Sequence, residues 1–179
     1  MTVREMIDKY HIKLVVDGDK KKLFIHPIYA PKVQRDGVLD ELKAHKDEII
    51  EAIEYQNKIE REAYEARQKK IAAIPGLEAI KAAIEDMEKW QDEFERSFEG
   101  EFGGYNVRPR PNYDINKMLK ENPQAAAYLK AEKYANKVNY ELSEIGKRAL
   151  DRVIEGDWEA AISDLDREIS EFVQHHIYD

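Results

Sequence analysis

Two short apolar runs near the N-terminus, Ile12-Lys13-Leu14-Val15-Val16 and Lys22-Leu23-Phe24-Ile25, flank the turn Asp17-Gly18-Asp19. β-Branched and apolar residues on either side of a Gly-containing turn predict a β-hairpin. A two-stranded ribbon is not stable by itself and must lay one face on helices, so the rest of the chain has to supply them. Leu14, Val16, Leu23 and Ile25 fall on alternate positions that would form the buried face, while Val15 and Phe24 project to the other side. Those two apolar side chains lie beside unpaired strand edges, the geometry that captures an extended peptide as an added strand. The competing reading is that a helix at 39–44 covers them. Lys20, Lys21 and Lys22 open the second strand and put positive charge next to the same edge.

The helical sequence follows. Val3, Met6 and Ile7 make a short amphipathic start, and after Pro27 and Pro31 the chain reads as helical from Leu39 to Ile50. From His45 to Ala73 there is neither Gly nor Pro, and Glu, Lys, Ala, Gln and Arg dominate. The apolar positions of this stretch (Ile49, Ile53, Ala63, Ala66) are sparse, which predicts a connector with much of its surface in water. Ile74-Pro75-Gly76-Leu77 ends it. A greasier stripe follows at Leu77, Ile80, Ile84, Met87, Trp90, Phe94 and Phe98, so the two helices are expected to form an αα-hairpin. Three glycines and two prolines exclude a helix over 100–113, and Asp114 is the expected cap of a short helix to Lys120. Asn122-Pro123 starts a helix whose three-four stripe (Tyr128, Ala131, Ala135, Val138, Leu142, Ile145) predicts one continuous element to Ile154. After Glu155-Gly156-Asp157 a last helix runs from Trp158 to His175. The expected fold is α+β, mostly α. It comprises a helix–hairpin–helix–helix domain at 1–56, a helical connector at 57–76 and an antiparallel helical bundle at 77–179 interrupted by the irregular loop 100–113.

Net charge is −8, spread as −1 over 1–56, −3 over 57–99, +1 over 100–122 and −5 over 123–179. An acidic helical body repels phosphate, which argues against general nucleic-acid binding. It suits a partner with a basic surface, or serves solubility alone. No apolar run approaches the roughly 18 residues of a membrane span. The first residues lack the apolar core of a signal peptide, so a cytoplasmic location, in a host bacterial cell, is expected. The absence of cysteine excludes disulfides, thiol catalysis and Cys-ligated zinc.

The order helix, hairpin, helix, helix, closing on Leu42-Lys43-Ala44-His45-Lys46-Asp47-Glu48-Ile49-Ile50, resembles the TubC-type N-terminal docking domain. The resemblance covers about residues 1–56. It implies a module that grips a partner peptide, does no chemistry and can dimerise, with the His45-Lys46 step structural. The long polar helix is then a surface for pairing with a second copy. A second resemblance lies in Asn122–Glu132, Gly146–Leu150, Ile154–Trp158 and His175–Asp179. These runs look like small proteins of phages and mobile elements of Gram-positive bacteria, which implies a phage-like setting and no particular activity.

Other candidates for chemistry are weak. His175 and His176 point about 100° apart on a helix and have no partner motif to complete a metal site. Asp17-Gly18-Asp19 lacks the later ligands of a calcium loop. Phosphate loops, nucleophile elbows and zincin motifs are absent, so no catalytic residue, metal ligand or cofactor is expected. Arg108-Pro109-Arg110-Pro111, with Tyr105 and Tyr113 beside it, sets two guanidiniums on a stiff backbone. It reads either as a clamp for a carboxylate, phosphate or protein hot spot, or as a linker whose arginines pair with helical glutamates. The function expected is therefore a non-catalytic protein–protein interaction protein of phage or mobile-element origin. Its partner-binding residues would be Leu14, Val15, Val16, Lys20, Lys21, Lys22, Leu23, Phe24 and Ile25, with Arg108 and Arg110. An inhibitor of a bacterial defence system, of the anti-CRISPR kind, fits this expectation. The alternative is a replication or recombination accessory that touches nucleic acid through the two arginines and the lysine turn.

Overall fold

The computed structural model describes residues 1–17, 20–97 and 108–177. Gly18 and Asp19 of the turn, Phe98, Tyr105 and the first part of the 100–113 loop, and Tyr178 and Asp179 lie outside the described residues. The fold class is the expected one, α+β and mostly helical, with one antiparallel hairpin. The chain divides into two compact units, Met1–Ala66 and Arg67–Asp179.

The first unit holds α1 (Val3–Tyr10), β1 (Ile12–Asp17), β2 (Lys20–Ile25), α2 (Ala30–Asp36), α3 (Leu39–Ala44) and the start of α4 (Lys46–Ala72). Helix α1 opens with a capping box. Glu5 N donates to Thr2 Oγ1 at 3.2 Å, and Thr2 N donates to Glu5 Oε2 at 2.8 Å, which satisfies two donors that a helix start otherwise leaves unpaired. It ends at His11, whose φ of +48° is unusual for a residue with a Cβ. The His11 ring stacks on Tyr29 at 4.3 Å, holding that turn in place. Register runs from Ile12↔Ile25 through Leu14↔Leu23 to Asp17↔Lys20. Ile12 is buried and Leu14, Leu23 and Ile25 are half-buried against a core of Met6, Tyr10, Val33, Leu42, Ile49 and Ile53.

Two expectations for this unit need correcting. Val16 has the right parity for the inner face but is 64% exposed, because it lies beyond the last core contact of the ribbon. It pairs instead with Lys21, whose ammonium reaches Glu54 at 2.6 Å. Pro31 does not precede the helical region but lies in the first turn of α2. Proline is tolerated there because its missing N–H would be unsatisfied anyway.

Helices α1 and α2 are joined by a polar clasp. Tyr10, fully buried, donates its hydroxyl to Asp36 Oδ2 at 2.9 Å, and Lys9 Nζ lies 2.8 Å from the same oxygen. The Lys9 hydrogen bond, then that from Tyr10, holds the Asp36 carboxyl below its ordinary value of 3.8. A carboxylate whose folded pKa is depressed stabilises the fold above its unfolded value and loses that contribution as pH falls through the folded one. Asp36→Asn is therefore expected to flatten the acid limb of the stability profile below about pH 4, as read by urea unfolding at a series of pH values. An unchanged acid limb would mean that the clasp contributes nothing.

The second unit contains the end of α4 from Arg67, α5 (Leu77–Arg96), α6 (Ile115–Glu121), α7 (Pro123–Ala135), α8 (Tyr140–Ile154) and α9 (Trp158–Ile177). Its main core gathers Ile74, Leu77, Ile80, Ala125, Tyr128, Val153 and Ala161, and a second cluster joins Ala131, Ile145, Ala149 and Leu165. Within this unit α5, which follows the Ile74–Leu77 junction, packs on α6 and α7. Gly76 at that junction has φ +71°, and a Cβ there would fall 2.3 Å from the Asn122 side chain. The left-handed backbone favours glycine, and a Cβ would also oblige the Asn122 amide to move.

The single helix expected over Pro123–Ile154 is instead two helices folded back on each other. Helix α7 stops at Ala135, Asn139 caps α8 by accepting from Leu142 N at 3.1 Å, and Ser143 donates to the freed Ala135 carbonyl at 2.7 Å. Val138, which fits the apolar stripe by spacing, is fully exposed at the turn. Ion pairs brace the outer surface, among them Lys130–Asp166 at 2.6 Å and Arg152–Asp164 at 2.7 Å.

Candidate docking site

The hairpin supplies two open edges. Asp17↔Lys20 closes a two-residue connection, so this pair is the hydrogen-bonded one and the pairs alternate from it. The main-chain groups of Ile12, Leu14 and Val16 on β1, and of Lys21, Leu23 and Ile25 on β2, therefore point outward. No other described residue hydrogen-bonds to them.

Each edge borders an apolar groove, and the two differ in charge. The β1 groove, about 750 Å³, runs between α1, β1 and α4, with Ile7, Ile12, Leu14, Ile53 and Ile59 below a rim of Arg4, Asp8, Lys13 and Glu60. The β2 groove, about 410 Å³, has a floor of Ile12, Leu23, Ile25, Leu39 and Leu42, and its only charged lining residues are Lys22, Lys43 and Lys46. Three ammonium groups round an apolar trough make this groove a local basic patch in a chain of net charge −8. The lysines are only lightly engaged. Lys22 pairs with Asp17 at 2.6 Å and Lys43 with Asp40 at 3.1 Å, both at exposed positions.

The hairpin residues singled out in the sequence fall into three groups. Lys22, Leu23 and Ile25 line the β2 groove, and Leu14 lines the β1 groove. Val15 and Phe24 lie on the ribbon's outer face at 45% and 44% exposure, and helix α3 does not cover them. Val16, Lys20 and Lys21 are at the tip, where Lys21 is occupied by Glu54. The grooves add residues that sequence reasoning missed, chiefly Leu39, Leu42, Lys43 and Lys46. Their only signal was the amphipathic spacing of the 39–46 segment.

Arg108 and Arg110 belong to the second unit and not to the hairpin. Arg108 donates to Asp86 Oδ1 at 2.6 Å, to the Asp86 carbonyl at 3.1 Å and to Glu93 Oε2 at 3.1 Å. The Asp86 carboxyl is held below its ordinary range chiefly by the Arg108 hydrogen bond. Trp90 Nε1 donates to the Arg108 carbonyl at 3.0 Å, and the Arg110 guanidinium lies 5.6 Å above the Trp90 ring. His45 sits between α3 and α4 with Nδ1 3.1 Å from Glu48 Oε2. His176 stacks on Phe172 at 4.0 Å. Among the described residues no group of three or more His, Asp or Glu could hold a metal ion, and no helix is long and apolar enough to cross a membrane. Comparison with known protein families, with curated proteins and with solved structures finds no match to this chain.

Proposed function

We propose that the first unit docks an extended, acidic segment of another protein as a third strand on the β2 edge, and that the chain acts through this contact without catalysis. The observation that carries the reading is the lysine-only rim of the groove beside unpaired main-chain groups. Main-chain hydrogen bonds give such a contact its affinity, and the groove gives side-chain selectivity. The helix–hairpin–helix–helix order adds support, being the order that the resemblance to TubC-type docking domains implies. With the phage-like resemblance of the C-terminal half, the role we propose is recruitment or obstruction of a host protein, a bacterial defence complex being the sharper form. The nucleic-acid alternative is less favoured, because Arg108 is held by Asp86 and Glu93 and is not offered to phosphate.

Selection of a displayed random-peptide library on the full chain tests this. Enriched peptides are expected to alternate aliphatic or aromatic residues with Asp or Glu, and their binding should weaken with salt. Enrichment of basic or helix-forming sequences, or of none, would contradict the proposal.

A further inference from the structure

Helix α5 carries an apolar ridge that the bundle core does not reach. Leu77 and Ile80 are buried, but by Trp90 and Phe94 the stripe has left the core. The two rings stack on each other at 5.1 Å. What lies across Trp90 is the chain's own segment Arg108-Pro109-Arg110-Pro111. Two prolines fix this backbone in an extended form that displays its carbonyls and its flanking side chains. The ridge meets each of those features with a matching group. The indole N–H donates to a backbone carbonyl, two carboxylates and one helix carbonyl take the first guanidinium, and the indole face lies beneath the second.

This is the pattern by which aromatic surfaces read proline-rich ligands: a Trp N–H to a ligand carbonyl, a flat ring against the extended chain, and carboxylates for its arginines. We infer that the Asp86–Trp90–Glu93 face of α5 is a recognition surface for Arg-Pro-rich extended segments, occupied in cis by residues 108–111 and open to a partner segment of the same chemistry when that strap is displaced. The surface lies in the second unit and does not depend on the hairpin reading. The tether gives the strap an effective concentration on the order of 1 mM, so a partner must bring more than one such segment, or a better one, to displace it.

The test uses the indole N–H resonance of Trp90, assigned by its loss in Trp90→Phe. In the full chain carrying Arg108→Ala and Arg110→Ala, the resonance should move from its hydrogen-bonded position. A synthetic peptide of residues 108–114 should return it, with binding at least about tenfold tighter than to the unmodified chain, where the strap competes. The same peptide with both arginines replaced by alanine should not bind. If the double alanine variant loses cooperative unfolding, Arg108→Lys with Arg110→Lys serves in its place, since an ammonium cannot reproduce the fork of hydrogen bonds. The inference is overturned if the peptide leaves the Trp90 resonance unmoved at about 1 mM, if the arginine-free peptide binds as well, or if the opened and unmodified chains bind the peptide equally.

Discussion

Gly146→Ala is expected to destabilise the second unit by about 2–4 kcal/mol. The sign is what makes this informative. In an ordinary helix interior alanine is better than glycine by about 1 kcal/mol, and Gly146 lies inside α8 with an ordinary helical backbone. Here a Cβ would fall 2.1 Å from Ala135 N and 2.4 Å from Tyr134 C, both backbone atoms of α7 that no rotamer change can move. The two helices must separate, and separation loosens the cluster of Ala131, Ile145, Ala149 and Leu165. It also stretches the 2.7 Å bond from Ser143 to the Ala135 carbonyl. Urea unfolding of the variant measures the loss, and a gain in stability would mean that α7 and α8 do not approach this closely.

Reversing the three groove lysines, Lys22→Glu with Lys43→Glu and Lys46→Glu, is expected to weaken an acidic peptide by about 100-fold, at roughly 1 kcal/mol per reversed charge. Stability should barely change. Lys22 and Lys43 side chains are 57% and 67% exposed, and their partners Asp17 and Asp40 are more exposed still. Ion pairs at such sites contribute at most about 1 kcal/mol each. The lost affinity should shrink as salt rises, because the contribution is Coulombic and exposed. Reversal of Arg4 and Lys13 on the β1 groove should do much less, since that rim already carries Asp8 and Glu60. Titration of one selected peptide against both variants separates the two edges. Equal losses would remove the argument from charge.

Local pattern carried much of the fold and little of the site. The hairpin was legible because β-branched runs around a turn have few other solutions, and the start at Asp114 followed from capping chemistry. The start at Pro123 followed from proline at a first helical position, Asn122 making no side-chain cap bond there. Val16 shows the limit of alternation, which assigns a face but not how far the core extends beneath it. The α7–α8 break was hidden because Ala135, Val138 and Leu142 continue a three-four stripe by coincidence across a turn. Asn136 and Asn139 were the contrary signal, and the Asn139 cap shows the weight that they deserved. Pro31 reads as a breaker unless one knows that it occupies a first helical turn. The groove was not legible at all as a unit, since Lys22 comes from β2, Lys43 from α3 and Lys46 from α4. Their meeting is a property of tertiary packing. Arg108 was identified as a clamp or a linker residue, but its partners Asp86 and Glu93 lie about two turns apart on α5 among many equivalent carboxylates.

A segment docked on the β2 edge protects a different set of amides from one docked on β1. Amide hydrogen exchange of the full chain, free and saturated with a selected acidic peptide, reads this residue by residue. Protection is predicted at Lys21, Leu23 and Ile25, whose N–H groups line the open edge of β2, with little change at Ile12, Leu14 and Val16. Protection confined to β1, or binding with no new protection on either strand, would contradict docking on β2.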